Sequence, residues 1–599
     1  MKANIKNKIL KSAIALTGVL TLTGCNDGFM DRFPETSITE KVFFTSPSDL
    51  EIYTNGMYGY ISGTYWDVVS DNCVYTDESG TYEMLLGQLN KKTASRWNFE
   101  SIRNVNFMLS RTHQVKGDVT EINHYIGLAR LFRASLYYSK VKDYSDVPWY
   151  SRDLTTTDTE LLYKMQDSRT LVVDSIMADL QFAVTHMKEG ASKTRYFRSA
   201  ALALQARIAL NEGTFRKYHK ELGLTDADRF LTIAKEATQQ IIDSKKYSLF
   251  DTPQGNMGAY EAMFCSLDLS QNPEMILFTD YDKTLGRKNN AQKVFDYYSG
   301  LSRDLMEDYW AIKDQKAIPF QQIAGYATKG FLEVFENRDP RMAQTFMTPG
   351  FEKPSTSGAY RPGLARGGYP QLKFTPRTYD QIGWDLSYID IPVIRYAEVL
   401  LVNAEAKAEL GLFTQADLDA TINLTRKRAG IPATSLSEWE ANIDPVQEKR
   451  YSNVNSTQKA AILEIRRERR IELACEGFRY GDLMRWSCGK LFEKAPEGIY
   501  LNGLGYHDVT GDGQPDIAVV VTQEEADAIP EADKKKYNLT VYILKGNTME
   551  LSQGDKGHVR LVVQTNKFKF VEPQYYYYPL NQEDLLDNKN LKQNKYWQE

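Results

Sequence analysis

The most constraining feature of the sequence is a run of charges at residues 465–486, in a stretch whose spacing is helical. One helical face combines apolar and acidic positions, namely Ala461, Ile465, Glu468, Glu472 and Cys475. Buried carboxylates are tolerated only when they are paired and hydrogen-bonded. Charged groups close enough in sequence to form such a network are Arg467, Arg470, Arg479, Asp482 and Arg485. We therefore predict a structural salt-bridge cluster that locks helix to helix, in preference to a catalytic acid pair.

A second acid pair, Glu398 and Glu405, lies two turns apart on one face of a helix predicted over residues 395–410. This spacing would suit a metal or an acid pair. The same argument about buried charge favours salt bridges between packed helices.

The charged run also resembles the C-terminal signature of the SusD/RagB family of surface lipoproteins. The matching residues are Glu468, Arg469, Arg470, Glu472, Leu473, Glu476, Gly477, Arg479, Tyr480, Asp482, Leu483, Arg485 and Trp486. Further blocks resemble the family in the same order, at residues 133–148, 272–277, 337–342, 392–430 and 578–597. The resemblance implies a SusD-like fold that captures nutrients beside a TonB-dependent transporter.

The chain is predicted to be mainly α-helical, with tetratricopeptide-type helix pairs, irregular loops and a small β-rich insertion. Helical periodicity covers residues 100–112, 121–143, 169–188, 198–213 and 227–244, and short β-like runs cover 517–522, 539–544 and 559–565. We expect one SusD-like domain over residues 26–599. Its helical-repeat part spans about 26–250, its SusD/RagB part about 260–599, and the insertion about 490–570.

Residues 1–25 have the pattern of a secretory signal, with four early lysines followed by an apolar stretch too short to span a membrane. The stretch ends in Leu22, Thr23, Gly24 and Cys25, which is typical of a bacterial lipobox. We predict lipidation of Cys25, and the family resemblance implies an outer-membrane anchor that faces the cell exterior. The alternative is a soluble periplasmic protein in which this cysteine occurs by chance.

The other four cysteines, Cys73, Cys265, Cys475 and Cys488, show no spacing typical of zinc. Buried free thiols are the default expectation for them. A disulfide between Cys475 and Cys488 is the alternative in an oxidising compartment.

An acidic and glycine-rich loop inside the insertion resembles the DxDxDG-type calcium loop in its short form. Its candidate ligands are Asp508, Thr510, Asp512, Gln514 and Asp516, and Gly513 makes the turn. Val519 stands where an EF-hand would have its glutamate, so the loop is not an EF-hand. We predict a structural calcium ion that stiffens the insertion and no other cofactor; the alternative is a solvated turn between strands.

Composition and motifs favour capture over chemistry. The chain lacks the Walker A, HExxH and GxSxG motifs, and its six histidines do not cluster. A net charge of −5 without a long basic run disfavours nucleic-acid binding. The 37 tyrosines and eight tryptophans instead suit stacking on sugars or contact with partners. We expect a binding protein and not an enzyme.

Family resemblance implies that an oligosaccharide or polysaccharide is held on the surface and passed to a SusC-like transporter. Aromatic rings for sugar faces and polar groups for hydroxyls are sought in two loop regions. The candidates are Tyr65, Trp66, Asp71, Asn72 and Trp97 in the early region, and Tyr297, Tyr298, Arg366, Trp384 and Tyr388 in the later one. Trp66 and Trp384 are the favoured pair. An oligopeptide ligand, a lipoprotein hydrolase and a pure protein scaffold are the alternatives.

Overall fold

The computed structural model describes residues 43–598 apart from 68–69, 76–80, 298, 355–357, 547 and 563–566. The signal segment, Cys25 and Tyr298 lie outside these residues. Helices dominate, as predicted. Within the described residues, none of the helices has both the length and the apolar character needed to cross a membrane.

The first third of the described chain is a stack of helices. They are α1 (Pro47–Asn55), α2 (Thr81–Leu85), α3 (Glu100–Leu109), α4 (Val119–Tyr144), α5 (Thr159–Leu162), α6 (Arg169–His186), α7 (Arg198–Tyr218) and α8 (Ala227–Asp243). The long helix α4 packs against α1, α3 and α6, and α6 in turn packs against α7, which lies on α8. Because neighbours pack against α4, half of its 26 residues are buried, and Tyr137 and Tyr138 are among them.

Capping groups explain where these helices begin. The Asp118 carboxylate accepts the Glu121 amide at the start of α4, and Ser168 does the same for α6. Pro47 occupies the first turn of α1, where a missing amide costs least. Predicted and observed ends of the five long helices agree within a few residues.

Short helices and two-stranded sheets fill the middle of the chain. The helices are α9 (Ala259–Phe264), α10 (Lys293–Asp296), α11 (Arg303–Asp308) and α12 (Met342–Thr345), and the strands are β1 (Cys73–Tyr75), β2 (Met275–Thr279), β3 (Ser299–Leu301), β4 (Ala311–Lys313), β5 (Lys316–Ile318) and β6 (Ile391–Arg395). β1 pairs with β3, β2 with β6, and β4 with β5, all antiparallel.

Helices return after β6. They are α13 (Tyr396–Glu409), α14 (Gln415–Ala420), α15 (Ile422–Ala429), α16 (Leu436–Ala441), α17 (Pro445–Arg450), α18 (Lys459–Glu472) and α19 (Arg479–Arg485). α13 packs on both α8 and α18. The charged helix α18 is therefore continuous with the helical stack.

The predicted β-rich insertion is present. It contains β7 (Tyr500–Leu501), β8 (Gly505–His507), β9 (Ile517–Val520), α20 (Gln523–Ala528), α21 (Glu531–Lys536), β10 (Thr540–Ile543), β11 (Met549–Leu551) and β12 (Gly557–Leu561), and α22 (Gln582–Asp587) follows it. β9 pairs antiparallel with β8 and parallel with β10. The two helices between β9 and β10 supply the crossover that a parallel pair requires.

The structure has no bridge between Cys475 and Cys488. Both are buried free thiols, as is Cys73, while Cys265 is half-buried and free. The Cys488 thiol lies 3.3 Å from the backbone oxygen of Trp486. The default expectation of free thiols is confirmed, and the disulfide alternative is wrong.

Candidate functional site

The charged face of α18 is a buried ion-pair cluster. Glu468 accepts hydrogen bonds from Trp310 Nε1 at 2.9 Å and Arg426 Nε at 2.8 Å. Glu472 accepts from Arg341 at 3.0 Å, from Arg395 at 2.8 Å and from Arg428. Burial opposes ionisation of Glu472, but these guanidinium groups hold its pKa below the usual range. The predicted structural role is confirmed.

The second acid pair is also structural. Glu398 pairs with Arg207 Nε at 2.6 Å, and Glu405 accepts from Arg485 Nη1 at 2.5 Å and from Trp486 Nε1 at 2.8 Å. Every oxygen that would bind a metal is therefore already engaged with the packing of α13.

Two of the early ligand candidates belong to the ion-pair cluster. Asp71 binds Arg479 Nε at 2.7 Å and lies 3.2 Å from Arg470 Nη2. Asn72 is 1% exposed, donates to Asp67 at 2.7 Å and accepts from Arg470 Nε at 2.8 Å. The polar atoms of both side chains already bind other residues inside the protein. We therefore leave both residues out of the proposed ligand surface.

The early aromatic candidates do not lie together. Tyr65 and Trp66 are half-buried neighbours with ring centroids 5.9 Å apart. Trp97 is half-buried against the helical core, where it meets Tyr144 edge-on at 4.8 Å. Trp97 therefore contributes to packing at the C-terminal end of α4.

The later candidates include an exposed aromatic pair, Tyr297 and Trp384. With the buried Lys293 and the half-buried Arg366 that contact this pair, they form what we call the aromatic platform, defined as Lys293, Tyr297, Arg366 and Trp384. Tyr297 is 48% exposed and Trp384 is 57% exposed, with ring centroids 4.7 Å apart and planes at 81°. Arg366 donates to the backbone oxygen of Tyr297. Lys293 Nζ lies 3.1 Å from the centroid of the Trp384 ring. Lys293 and Tyr297 therefore both contact the Trp384 side chain, which stays more than half exposed.

Sequence reasoning missed Lys293. It lies four residues before Tyr297 and begins α10, a spacing that brings two side chains to one helical face. That spacing could have indicated that Lys293 lies next to Tyr297. The contact between Lys293 and Trp384 joins residues about ninety positions apart, so it leaves no local sequence pattern.

Two contacts fix the loop that carries Trp384. The Asn289 amide donates to the Ser387 oxygen at 2.7 Å, and Asp385 N–H donates to the side-chain oxygen of Asn290 at 2.7 Å. Asp385 adopts a positive φ of 51°, a conformation that aspartate tolerates better than most residues. The loop is thereby held against the segment that leads into α10.

Tyr388 lies farther along the same loop and is half-buried. Its hydroxyl donates to Asp380 at 2.8 Å, and Lys283 pairs with the same carboxylate at 2.7 Å. The structure therefore ties Tyr388 into a polar cluster next to Tyr379, which is 74% exposed. These groups are polar side chains on or beside the loop that carries Trp384.

The β-rich insertion holds the segment that carries Arg366. Arg361 pairs with Asp516 at 2.9 Å, and the Leu364 amide donates to the Tyr542 hydroxyl at 3.2 Å. On the other side, a Cβ added at Gly300 would lie 2.4 Å from the Cα of Gly368, so only glycine permits this approach to β3. The insertion is therefore part of the scaffold of the aromatic platform.

The predicted calcium ligands come from Asp508, Thr510, Asp512, Gln514 and Asp516. Carboxylate oxygens of Asp508, Asp512 and Asp516 lie within 4.8 Å of one another. Backbone amides of the loop donate to these groups, for example Gly513 N–H to Asp508 at 2.8 Å. Asp516 also accepts from the Thr510 hydroxyl and pairs with Arg361. These oxygen ligands fit a hard cation such as calcium. Calcium binding stays a prediction.

Comparison with known proteins agrees with this architecture. A model described as the SusD family matches residues 273–597, more than half of the 599-residue chain. The SusD-like protein P2 of Formosa agariphila is 22% identical over 497 residues, which cover 79% of this chain and 89% of that protein.

Solved structures show the same fold. A SusD-like carbohydrate binding protein from Bacteroides fragilis, 20% identical, has a TM-score of 0.66 and covers 92% of this chain and 100% of its own. A laminarin binding SusD-like protein, also 20% identical, has a TM-score of 0.51 and covers 74% of this chain and 92% of its own. The predicted mainly α fold is confirmed, and the chain belongs to the SusD family.

Proposed function

We propose that this protein binds an oligosaccharide or polysaccharide on the aromatic platform and delivers it to a SusC-like TonB-dependent transporter. The exposed pair of Tyr297 and Trp384 carries the proposal. Sugars present apolar faces that stack on aromatic rings, and their hydroxyls pair with charged and amide groups. Arg366 lies beside the Tyr297 ring, and the Lys283–Asp380 pair contacts Tyr388 of the loop that carries Trp384, so both offer charged groups to hydroxyls.

Relatives support a carbohydrate ligand. The neighbouring structures include one described as carbohydrate binding and one described as laminarin binding. We extend this ligand class to the present chain because its exposed aromatic pair offers the chemistry that such a ligand needs. Which glycan is bound is a matter for the experiment.

Affinity electrophoresis tests the binding step. The protein without residues 1–25 is run through native gels that contain plant, microbial or host polysaccharides. We expect one glycan to retard the wild type, Trp384→Ala to remove the retardation, and no reducing sugar to be released. Tyr163→Ala is the matched control, because Tyr163 is 51% exposed on another part of the surface and its loss should change nothing.

Other outcomes would redirect the proposal. Retardation that survives both Trp384→Ala and a Trp66→Ala, Trp384→Ala double substitution would remove the aromatic platform from the site. Binding of an oligopeptide with no glycan binding would support the RagB-like alternative, and release of reducing sugar would make the protein a hydrolase. For the delivery step, a tagged protein should co-purify with a TonB-dependent barrel from outer membranes.

A further inference from the structure

A deep cavity lies between the C-terminal half of α4 and the start of α19, and it shares no lining residue with the aromatic platform. Its volume is about 580 Å³, in the range of ligand sites, about 300–1,000 Å³. We call it the Lys142 crevice and define it by Tyr138, Lys142, Asn211, Tyr480 and Gly481.

The Lys142 crevice is open at its centre. A Cβ built at Gly481 points into empty space, with no heavy atom of a non-neighbouring residue within 4 Å. Lys142 itself is exposed, although it lies in a cavity. A second cavity, of about 320 Å³, shares Lys142, Asn211 and Gly481 with the first. A ligand that enters the crevice can therefore reach these side chains.

The ammonium group of Lys142 has no acid partner. Its Nζ forms neither an ion pair nor a hydrogen bond with the described residues, and it lies 6.0 Å from the centroid of the Tyr138 ring. Burial among the surrounding groups lowers the pKa of Lys142, while the neighbouring Asp143 acts in the opposite direction. A lysine that the fold surrounds but does not pair is suited to an anionic ligand.

The other charges of the crevice leave it positive. Lys140 also lines it without a carboxylate partner in the described chain, and its Nζ donates to the backbone oxygen of Arg96 at 2.5 Å. The arginines of the wall are each neutralised by an acid, in the pairs Arg96 with Asp143, Arg169 with Glu212, and Arg485 with Glu405.

Hydroxyl and amide groups face the same space. The hydroxyls of Tyr138 and Tyr480 make no hydrogen bond to the described residues, and neither is sealed from solvent as the Tyr144 hydroxyl is. Asn211 donates its amide to the Arg207 oxygen at 2.7 Å, which leaves its side-chain oxygen as an acceptor. Polar atoms that the protein does not use are thus grouped around the Lys142 ammonium.

Aromatic rings complete the wall of the Lys142 crevice. Phe215 and the tyrosines at 575–578 line it together with Tyr138 and Tyr480. Such rings offer apolar faces to a sugar ring, while their hydroxyls and the Asn211 amide suit sugar hydroxyls. The unpaired ammonium adds a requirement for one negative charge.

We propose that the Lys142 crevice is a second binding site, for a sugar acid of monosaccharide size. Its carboxylate accepts from Lys142 Nζ, and its hydroxyls bind Tyr138, Tyr480 and Asn211. The site is separate from the aromatic platform, so it stands or falls independently of the proposed capture of a longer glycan.

Calorimetry and saturation-transfer NMR on the protein without residues 1–25 test the site. The probes are glucuronate, galacturonate and mannuronate, with glucose and acetate for comparison. We expect at least one sugar acid to bind the wild type and the Trp384→Ala variant equally. Glucose lacks the carboxylate and acetate lacks the hydroxyls, so each should bind at least about tenfold more weakly.

A charge-removing variant tests the role of the ammonium. Lys142→Met keeps the length of the side chain and should weaken binding of the sugar acid about tenfold or more, because it removes a hydrogen bond between charged groups. Lys535→Met is the matched control, since Lys535 is an exposed lysine of α21 that does not line the crevice. Lys142 has no partner to lose, so the melting temperature should change little in either variant.

A blocking variant tests the location. Gly481→Phe places a ring in the empty space of the crevice and should abolish binding. Gly503→Phe is the matched control, because a Cβ at Gly503 also meets open space but Gly503 lies outside the crevice. Circular dichroism checks that both variants fold.

Four results would overturn the proposal. The first is no binding by any of the three sugar acids, and the second is glucose or acetate binding as tightly as they do. The third is binding that Lys142→Met or Gly481→Phe leaves intact, or that Trp384→Ala removes, because the ligand would then lie elsewhere. The fourth is binding of inorganic phosphate without binding of sugar acids, which would make the crevice a general anion site.

Discussion

Glu472 joins four separate parts of the chain through one side chain. It sits at the end of α18 and meets Arg341 before α12, Arg395 at the end of β6 and Arg428 in α15. Breaking a buried ion pair on one side is costly because a charge remains uncompensated. We expect Glu472→Gln to lower the free energy of unfolding by about 3 kcal/mol. Urea unfolding followed by circular dichroism measures this.

An exposed pair provides the control for Glu472→Gln. Asp174 and Arg229 form a salt bridge in which both side chains are 47% exposed. Asp174→Asn should cost less than about 1 kcal/mol because water screens the pair. Equal effects of the two substitutions would show that the network around α18 adds no special stability.

Asp390 gives a pH signature. It is fully buried and accepts the amides of Leu269 and Tyr281, each at 2.9 Å. Burial raises its pKa to about 7, although the two amides act in the opposite direction. Because the folded pKa exceeds the unfolded value, the native state holds the proton more tightly, and this contribution to stability is lost as pH rises from about 4 to 7.

Asp390→Asn isolates that contribution. Asparagine cannot titrate, so the stability of the wild type relative to the variant should fall between pH 4 and pH 7. Urea unfolding of both proteins at several pH values gives the difference. Two curves that run parallel across this range would contradict the raised pKa.

For single residues, the sequence predicted which side chains are buried better than it predicted which side chains they contact. Periodicity placed Glu468 and Glu472 on a core face, and the structure agrees. Arg341, Arg395 and Arg428, the actual partners of Glu472, come from other elements, and no local pattern announces which distant side chain fills a buried site. For the same reason the sequence could not show that, of two ligand candidates, Asn72 is buried and Trp384 is exposed.

Elements with long periodic sequences were predictable, and short ones were not. The five long helices up to Asp243 have several turns each, so their apolar stripes and capping residues could be found without the structure. The chain between α8 and β6 is built from strands and helical turns of three to six residues. Such short elements are stabilised by tertiary contacts. The loop of Trp384 in this region is likewise fixed by hydrogen bonds with Asn289 and Asn290.

The loop between β8 and β9 carries the calcium prediction. If calcium binds there, it should raise the melting temperature of the wild type, because a ligand of the native state stabilises it. Asp512 is exposed and offers a carboxylate within 4.8 Å of its partners. Asp512→Asn should remove most of the calcium effect, as measured by thermal melting with calcium and with a chelator.

Asp555→Asn is the control for the calcium loop. Asp555 is an exposed acid of the same insertion that lies outside the loop, so its loss should leave the calcium response unchanged. Melting temperatures that are equal with calcium and with chelator in the wild type would favour a solvated turn. Because Arg361 already pairs with Asp516, that turn would then be held by the protein alone.

Over the whole molecule, the insertion and the early strand β1 both contact segments that carry the aromatic platform. The insertion holds the segment of Arg366 through Asp516 and Tyr542, while β3 beside Tyr297 pairs with β1 of the early chain. The candidate ligand residues are thus held on loops by contacts from two distant parts of the chain. The sequence predicted the insertion but neither β1 nor the shared surface, since the contacts join residues more than 150 positions apart.

The sequence of the whole chain also predicts attachment to a membrane. Cys25 follows a lipobox-like segment, and each methylene of an acyl chain buried in a bilayer contributes about 0.8 kcal/mol, so several chains anchor a protein firmly. In a bacterial host that lipidates such proteins, the full chain should incorporate labelled palmitate and enter the detergent phase on Triton X-114 separation. Cys25→Ala should move it to the aqueous phase, whereas Cys265→Ala, which changes a half-buried thiol of the folded part, should not. Aqueous partitioning of the full chain without label would favour the soluble periplasmic alternative, and the proposed delivery to a transporter would then have to occur without an anchor.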